Sequence, residues 1–315
     1  DTNPEQLKDA PEGVETYGSI DEMLEKADIN VVMVSTPNPS HPEMVKKAAA
    51  AKKHVICEKP AAMSVAEFDE MVAACKENGV LFTVHQQRRW DTDYRIMKEV
   101  YDQNLVGDMY VIKSQLYGFN GNMHDWHVYP EMGGGMLYDW GVHLIDQMLD
   151  MVKSDIVSLY ADVQNVINEN VDDYFNIIMK FANGVTAEIE LGTYYLTPKR
   201  GWFIGGNKGS AMIDGFAGEG KIVRTAHLLE NVPGKITMTA AGPTRSFGPA
   251  APGLLQEEAL PEVNVSHRMY FEHFLKAFNG EEDVIVKPEQ VRRVLCVMDA
   301  VRESARTGKA IEFEK

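Results

Sequence analysis

Asp139 and His143 stand four residues apart in the stretch MGGGMLYDWGVHLIDQMLD, residues 132–150. On a helix that spacing puts both side chains on one face. A carboxylate and an imidazole held side by side can move a proton. Gly133, Gly134 and Gly135 lead into the helix and let backbone or ligand approach closely. Leu137, Gly141, Leu144, Ile145, Met148 and Leu149 fall on another face, which predicts its burial. Asp146 and Asp150 continue the polar stripe. A second reactive group lies far upstream in Glu58-Lys59-Pro60, where a cis proline would fix the direction of the lysine before it. A third cluster contains His124, Asp125, Trp126, His127 and Glu131. No pair in it has the helical histidine spacing of a zinc hydrolase, so no metal is expected. Trp126 and His127 read instead as contacts to a polar, ring-shaped ligand or as packing residues. Residues 201–210 carry glycines and Lys208, but their spacing and strand-like flanks do not make a phosphate loop.

The elements that must position these groups follow from local pattern. After a strand-like piece near 14–17 and a helix capped by Ser19, residues 31–36 form an apolar run suited to a strand buried on both faces. A helix over 41–51, a strand at 54–57, a helix opened by Ser64 and Glu67 and closed at Gly79, and a strand over 80–85 come next. This alternation predicts a doubly wound α/β unit with a parallel sheet and right-handed crossovers. Ligands bind beyond the carboxyl ends of such strands. Ser35-Thr36, Glu58-Lys59 and Gln86-Gln87 each follow one strand and should converge there. From Arg88 the pattern changes to α+β. It has a helix over 92–103, a strand near 109–117, and strands at 174–181 and 185–191 around the turn Asn183-Gly184. Strands at 202–204 and 210–213 and helices over 266–278 and 288–306 complete it, while 242–261, rich in Pro, Gly and Ala, reads as a long loop or arm. Residues 1–87 are thus expected to form a dinucleotide-binding unit. Residues 88–315 are expected to form a substrate-binding and oligomerisation unit with a large, open, mostly antiparallel sheet.

Composition narrows the function. The 315 residues suffice for two domains, and 44% hydrophobic with 25% charged residues is ordinary for a globular protein. A formal net charge of -16 disfavours nucleic acid and anionic membrane surfaces as partners. No apolar run has membrane-spanning length. Cys57, Cys75 and Cys296 are scattered and read as small buried hydrophobes, not a disulfide framework. A cytoplasmic location is expected.

Taken together the motifs resemble the glucose–fructose oxidoreductase and inositol dehydrogenase family, Gfo/Idh/MocA. The likeness runs through Ser35-Thr36-Pro37-Asn38 and His41, then His54 to Pro60, Gln87-Arg88-Arg89-Trp90-Asp91, Gly133 to Asp146, Gly209-Ser210 and Thr307-Gly308-Lys309. The resemblance implies a Rossmann unit, a nicotinamide cofactor, and an open sheet that joins subunits into a homodimer or homotetramer. It implies that Lys59 touches both the substrate hydroxyl and the nicotinamide ribose, with Asp139 and His143 as the catalytic pair. Ser35, Thr36, Pro37, Asn38, His41, Glu58 and Gln87 would line the cofactor. Gln87, Arg88, Trp126 and His127 would meet substrate beside Asp139 and His143. The family's first strand, glycine-rich turn and first helix are missing from this stretch, and Asp1 resembles the acidic residue that holds the adenosine ribose. A segment of roughly thirty residues, one strand–turn–helix unit, is therefore expected before Asp1, and the mass of the intact gene product would test it. An acidic residue at that place favours NAD over NADP by repelling a 2′-phosphate.

The expected chemistry is oxidation of a secondary hydroxyl on a sugar, glycoside or cyclitol, or the reverse reduction. In this reading His143 takes the proton, Asp139 orients the imidazole, and Lys59 steadies the alkoxide. Two rivals share the fold: a redox-neutral glycosidase or epimerase that removes and returns a hydride, and a non-catalytic sensor or scaffold.

Overall fold

The computed structural model describes residues 1–118, 124–197, 199–216, 218–225, 236–245 and 252–313. The first unit opens with helices α1 (Pro4–Leu7) and α2 (Ile20–Lys26). Ser19 caps α2, its Oγ accepting from the Glu22 amide at 3.1 Å. Residues 14–17 form no strand: Val14 is 57% exposed and has no strand neighbour. Strand β1 (Val31–Val34), helix α3 (His41–Ala50), strand β2 (His54–Cys57), helix α4 (Val65–Asn78) and strand β3 (Phe82–Val84) then alternate. The three strands are parallel with β2 central, pairing Val32 with Val55 and Ile56 with Thr83. Ser64 opens α4 by accepting from the Glu67 amide at 3.3 Å. The Glu67 carboxylate reaches one residue further back than a capping box would, to the Met63 amide at 3.0 Å. Gly79, at φ +69°, closes the helix in the left-handed conformation that favours glycine.

The second unit is built on a nine-stranded sheet. Helix α5 (Thr92–Asp102) leads to β4 (Met109–Tyr117) and then to helix α6 (Val142–Met151). Strands β5 (Ile156–Gln164), β6 (Tyr174–Phe181), β7 (Thr186–Gly192), β8 (Trp202–Gly206), β9 (Gly209–Ile213) and β10 (Gly220–Thr225) follow. The hairpin β11 (Ile236–Thr239) and β12 (Gly242–Arg245) and strand β13 (Leu255–Glu258) precede helices α7 (Arg268–Phe278) and α8 (Pro288–Thr307) and strand β14 (Ile311–Glu312). Spatial order is β13-β10-β9-β8-β4-β7-β6-β5-β14, with the β4–β7 pair parallel and the remaining pairs antiparallel. The arm expected over 242–261 is thus partly strand: β12 pairs with β11 and β13 adds to the edge at β10, while 246–251 lie outside the described residues. Alternation there is too short to register against the Pro and Gly content.

Helix α6 is the structural centre. Leu144, Ile145, Met148 and Leu149 are buried as the periodicity predicts, but so are His143, Asp146 and Gln147. The helix packs against α5, α8 and β7, so it has no solvated face. Each fully buried Ile or Met of this kind contributes about 1.5–3 kcal/mol. Helix α8 packs on β5 and α6 and also on α4 and β3, returning the end of the chain to the first unit. The Thr83 hydroxyl donates to the Val286 carbonyl at 2.9 Å along the same seam. On the sheet face away from the core, Tyr160, Ile178, Glu188, Lys113 and Phe203 stand side by side across β5, β6, β7, β4 and β8.

Candidate active site

The carboxyl ends of the parallel strands deliver three sets of side chains. Beyond β1, Ser35, Thr36 and Pro37 line a cleft of 410 Å³ together with Asp1 and Tyr17. Asp1 accepts the Asn3 amide at 2.7 Å, which places its carboxylate at that rim. Asn38 is buried and donates to the Met132 carbonyl at 3.0 Å, bridging to the second unit. His41 has no exposed surface, and its ring nitrogens lie 2.8 Å from the Thr36 carbonyl and 3.0 Å from the Pro60 carbonyl. Its buried place between these two carbonyls, under the β1 loop, sets it apart from the cleft it was expected to line.

Beyond β2, the Lys59–Pro60 peptide is cis. Glu58 sits 2.6 Å from His85 Nδ1 and accepts the Lys59 amide at 3.2 Å. Burial works against its charge, but His85 and Lys59 outweigh it and hold the carboxyl below its ordinary range. The Lys59 ammonium crosses to the second unit, donating to Asp139 Oδ1 at 2.8 Å and to the Asp139 carbonyl at 2.9 Å. Both side chains are about one-sixth exposed, at 16% and 18%, so the pair is shielded yet reachable.

Asp139 lies in a π-helical turn, Leu137–Gly141, that opens α6. Such turns widen the helix and recur at functional sites. The turn is capped from a distance: the Leu137 amide donates to Asp172 Oδ2 at 2.7 Å and the Met136 amide to the Asp172 carbonyl at 2.9 Å. Burial pushes the Asp172 carboxyl up to about 6 although the Leu137 amide pulls it down. The glycines ahead of the turn are needed for approach. A Cβ at Gly134 would meet the His127 carbonyl oxygen at 2.4 Å, and Gly133 and Gly135 hold φ +75° and +95°. His127 lies with Nε2 3.9 Å from Asp139 Oδ2 and stacks on Trp126 at 3.8 Å between centroids.

His143 does not meet Asp139. No hydrogen bond or ion pair joins them; His143 Nδ1 lies 3.0 Å from Gln86 Oε1 instead. This corrects the expected orienting role of Asp139, whose carboxylate is taken by Lys59. Burial, followed by the Lys59 and Arg88 charges, holds the His143 imidazole well below its ordinary value, so the ring is neutral near pH 7. Asp146 and Asp150 leave the polar stripe as well. Arg89 forks onto Asp146 with two bonds of 2.7 Å, and Tyr94 donates to Asp150 at 2.6 Å. Burial opposes the Asp150 charge, but Arg89, Lys153 and Tyr94 hold the carboxyl down at about 2. Gln147 donates to the Arg88 carbonyl at 2.7 Å, so α6 is bolted to the turn after β3. Arg88 itself lies 3.9 Å over the Trp140 ring and binds Asp91 at 3.1 Å. Both line an adjoining cavity of 160 Å³ with Asp93, Gln147, Trp202 and Phe216.

Beyond β3, His85 Nε2, Gln86 Nε2 and Gln87 Oε1 are buried without a hydrogen-bond partner. Unspent polar capacity of this kind, on three consecutive residues at the ligand-facing edge, fits a polar ligand held there. The Asp1–Pro37 cleft and this edge together suit a nicotinamide dinucleotide. Sequence reasoning placed Gln86 at the ligand-facing edge without giving it a role, and it missed the roles of Arg89 and Asp172. Among the described residues no three His, Cys, Asp or Glu side chains are grouped to hold a metal ion, and no helix is long and apolar enough to cross a membrane.

Two family models match. Residues 1–86 match the oxidoreductase family, NAD-binding Rossmann fold, and residues 94–212 match the GFO/IDH/MocA C-terminal domain. A solved NAD-binding protein from Listeria innocua superposes with TM-score 0.88 at 32% identity, covering 96% of this chain and 86% of that one. The chain belongs to the GFO/IDH/MocA oxidoreductase family. It is 34% identical over 169 residues to an uncharacterized oxidoreductase of Schizosaccharomyces pombe, covering 52% of this chain and 46% of the relative. It is 30% identical over 204 residues to the 2,7-anhydro-N-acetylneuraminate hydratase of Escherichia coli, covering 62% and 54%. The scyllo-inositol 2-dehydrogenase (NADP(+)) IolW of Bacillus subtilis is 26% identical over 325 residues, covering 98% and 86%. The matches to the first curated relatives span about half of those proteins' length.

Proposed function

We propose that this member of the family is an NAD-dependent dehydrogenase that oxidises a secondary hydroxyl of a sugar, glycoside or cyclitol, or runs the reverse reduction. The observation that carries this reading is the Lys59–Asp139 pair. An ammonium from the Rossmann unit meets a carboxylate from the second unit at 2.8 Å, with His143 one turn on. Asp1, Ser35, Thr36, Pro37, Glu58 and Gln87 are the residues that would hold the cofactor, with Asn38 and His41 fixing the loop they stand on. Bound there, a nicotinamide supplies the hydride acceptor.

The protein's own work is the proton and the charge. His143, neutral near pH 7, takes the hydroxyl proton as general base. Lys59 faces the developing alkoxide and stabilises it in a shielded site. Asp139 holds Lys59 in place, keeping the ammonium aimed without leaving an uncompensated buried charge. Arg88, Trp126 and His127 border the space where the rest of the substrate lies. The inositol dehydrogenase relative supports a ring-shaped polyol, and its NADP(+) leaves the second nicotinamide cofactor open to the same assay.

The test is a screen of polyols and glycosides for NADH formation by the full-length protein. His143→Ala should lose about 10²–10⁴ in turnover with cofactor affinity little changed. Equal loss in both would assign the histidine to structure. The hydratase relative favours one second reading, a redox-neutral reaction at the same site. Release of nitrophenol from a nitrophenyl glycoside, with no added electron acceptor and no net NADH, would select it.

A further inference from the structure

Gln86 and His143 are both nearly without exposed surface, at 1% and 3%. The Gln86 backbone is fixed on both sides, its amide donating to the Val84 carbonyl at 2.8 Å and its carbonyl accepting the Arg89 amide at 3.2 Å. Its side chain therefore reaches His143 from a rigid strand end, and Oε1 stands 3.0 Å from Nδ1. An amide oxygen only accepts. A neutral imidazole carries one proton, so the ring nitrogen facing that oxygen must bear it and the other is left with the lone pair. We propose that Gln86 is a positioning residue that pins the His143 proton on Nδ1 and thereby makes Nε2 the atom that takes the substrate proton.

The surroundings explain why an amide stands there. The charged and titratable groups whose fields reach His143 are Lys59 after β2, Arg88 in the turn after β3, His85 at the end of β3 and His267 before α7. The carboxylates on its own helix and at the β2 end are Asp139, Asp146 and Glu58. The three helix and strand-end carboxylates are already taken, Asp139 by Lys59, Asp146 by Arg89 and Glu58 by His85. A carboxylate at position 86 would stabilise the doubly protonated ring and disarm it as a base. A neutral acceptor fixes the tautomer without that cost.

This inference rests on His143 being the base, and the experiment separates the two. Nitrogen-15 histidine spectra of the full-length protein, with the His143 signals assigned by loss in His143→Ala, should show Nδ1 protonated and Nε2 bare from pH 6 to 8. Gln86→Leu should show exchange between both tautomers and a turnover lowered about 10–100-fold at nearly unchanged KM. Gln86→Glu should keep the ring doubly protonated to higher pH and move the acid limb of the pH–rate profile up by about one unit or more. A wild-type proton on Nε2, or a Gln86→Glu profile that overlays the wild type, overturns the positioning role. The predicted tautomer with full activity in His143→Ala would instead leave the positioning intact and sink the catalytic assignment.

Discussion

Lys59 is gripped twice by one residue, through the Asp139 carboxylate and through its carbonyl. The second bond ties the lysine to the backbone of the π-helical turn, so its position depends on the shape of that turn as well as on a charge. Lys59→Met removes the ammonium while keeping most of the side-chain volume. It should lower turnover by about 10²–10³, the usual effect of removing one preorganised electrostatic group. Stopped-flow hydride transfer with saturating cofactor would read this, and a variant within threefold of wild type would show that the alkoxide is stabilised elsewhere. Much of this residue set was legible in the sequence. Lys59 follows a strand of the parallel sheet, at the edge where such sheets bind ligand, and Asp139 and His143 stand four apart behind three glycines at a helix start. Their pairing was not legible. Asp139 could serve either Lys59 or His143 at the spacing given, and only the approach of the two units decides for Lys59.

Helix α6 shows the same boundary between pattern and packing. Its apolar positions are readable at helical period, and its ends fall close to where glycines and the following loop require. Its polar positions mislead, because a stripe of Asp139, His143, Asp146 and Asp150 looks solvated when nothing reveals Arg89 on the facing turn. The cap is equally hidden, since Asp172 comes from a loop more than thirty residues further on. That cap makes a pH prediction. The folded-state Asp172 carboxyl is raised to about 6 from 3.8, so the folded chain binds the extra proton between those values. Its contribution is therefore most favourable below the lower value and is lost as pH rises through the higher one. Asp172→Asn keeps an acceptor for the Leu137 amide and has nothing to ionise. Relative to wild type it should gain about 2–3 kcal/mol between pH 4 and pH 8 in urea unfolding. A stability difference that is flat across this range would show that the carboxyl titrates normally.

At the scale of the whole molecule, the parallel unit was the more readable half. Its strands are short and alternate with helices, β2 and β3 largely buried and β1 with Met33 39% exposed. The large sheet was read at the long strand β4 and at the hairpins turned by Asn183-Gly184 and by Gly206 to Gly209; β5, β10 and the edge strands carry too little alternation to stand out. The outward face of that sheet is proposed as the surface joining two copies. Tyr160 and Ile178 are 44% and 40% exposed there and directly opposite each other across β5 and β6. Light scattering of the full-length protein should give at least a dimer mass, and Ile178→Glu should shift it toward monomer. A monomeric wild type would remove this face from the assembly.

The bond from Asn38 to the Met132 carbonyl has a design consequence. It spans from the loop that greets the dinucleotide to the residue just ahead of the glycine triplet, where a Cβ at Gly133 would strike that same amide at 2.7 Å. The proposed cofactor loop and the proposed catalytic turn meet closely at this contact. Anyone wishing to retune this scaffold for another cofactor must therefore redraw both loops at once, since grafting either alone would jam the other.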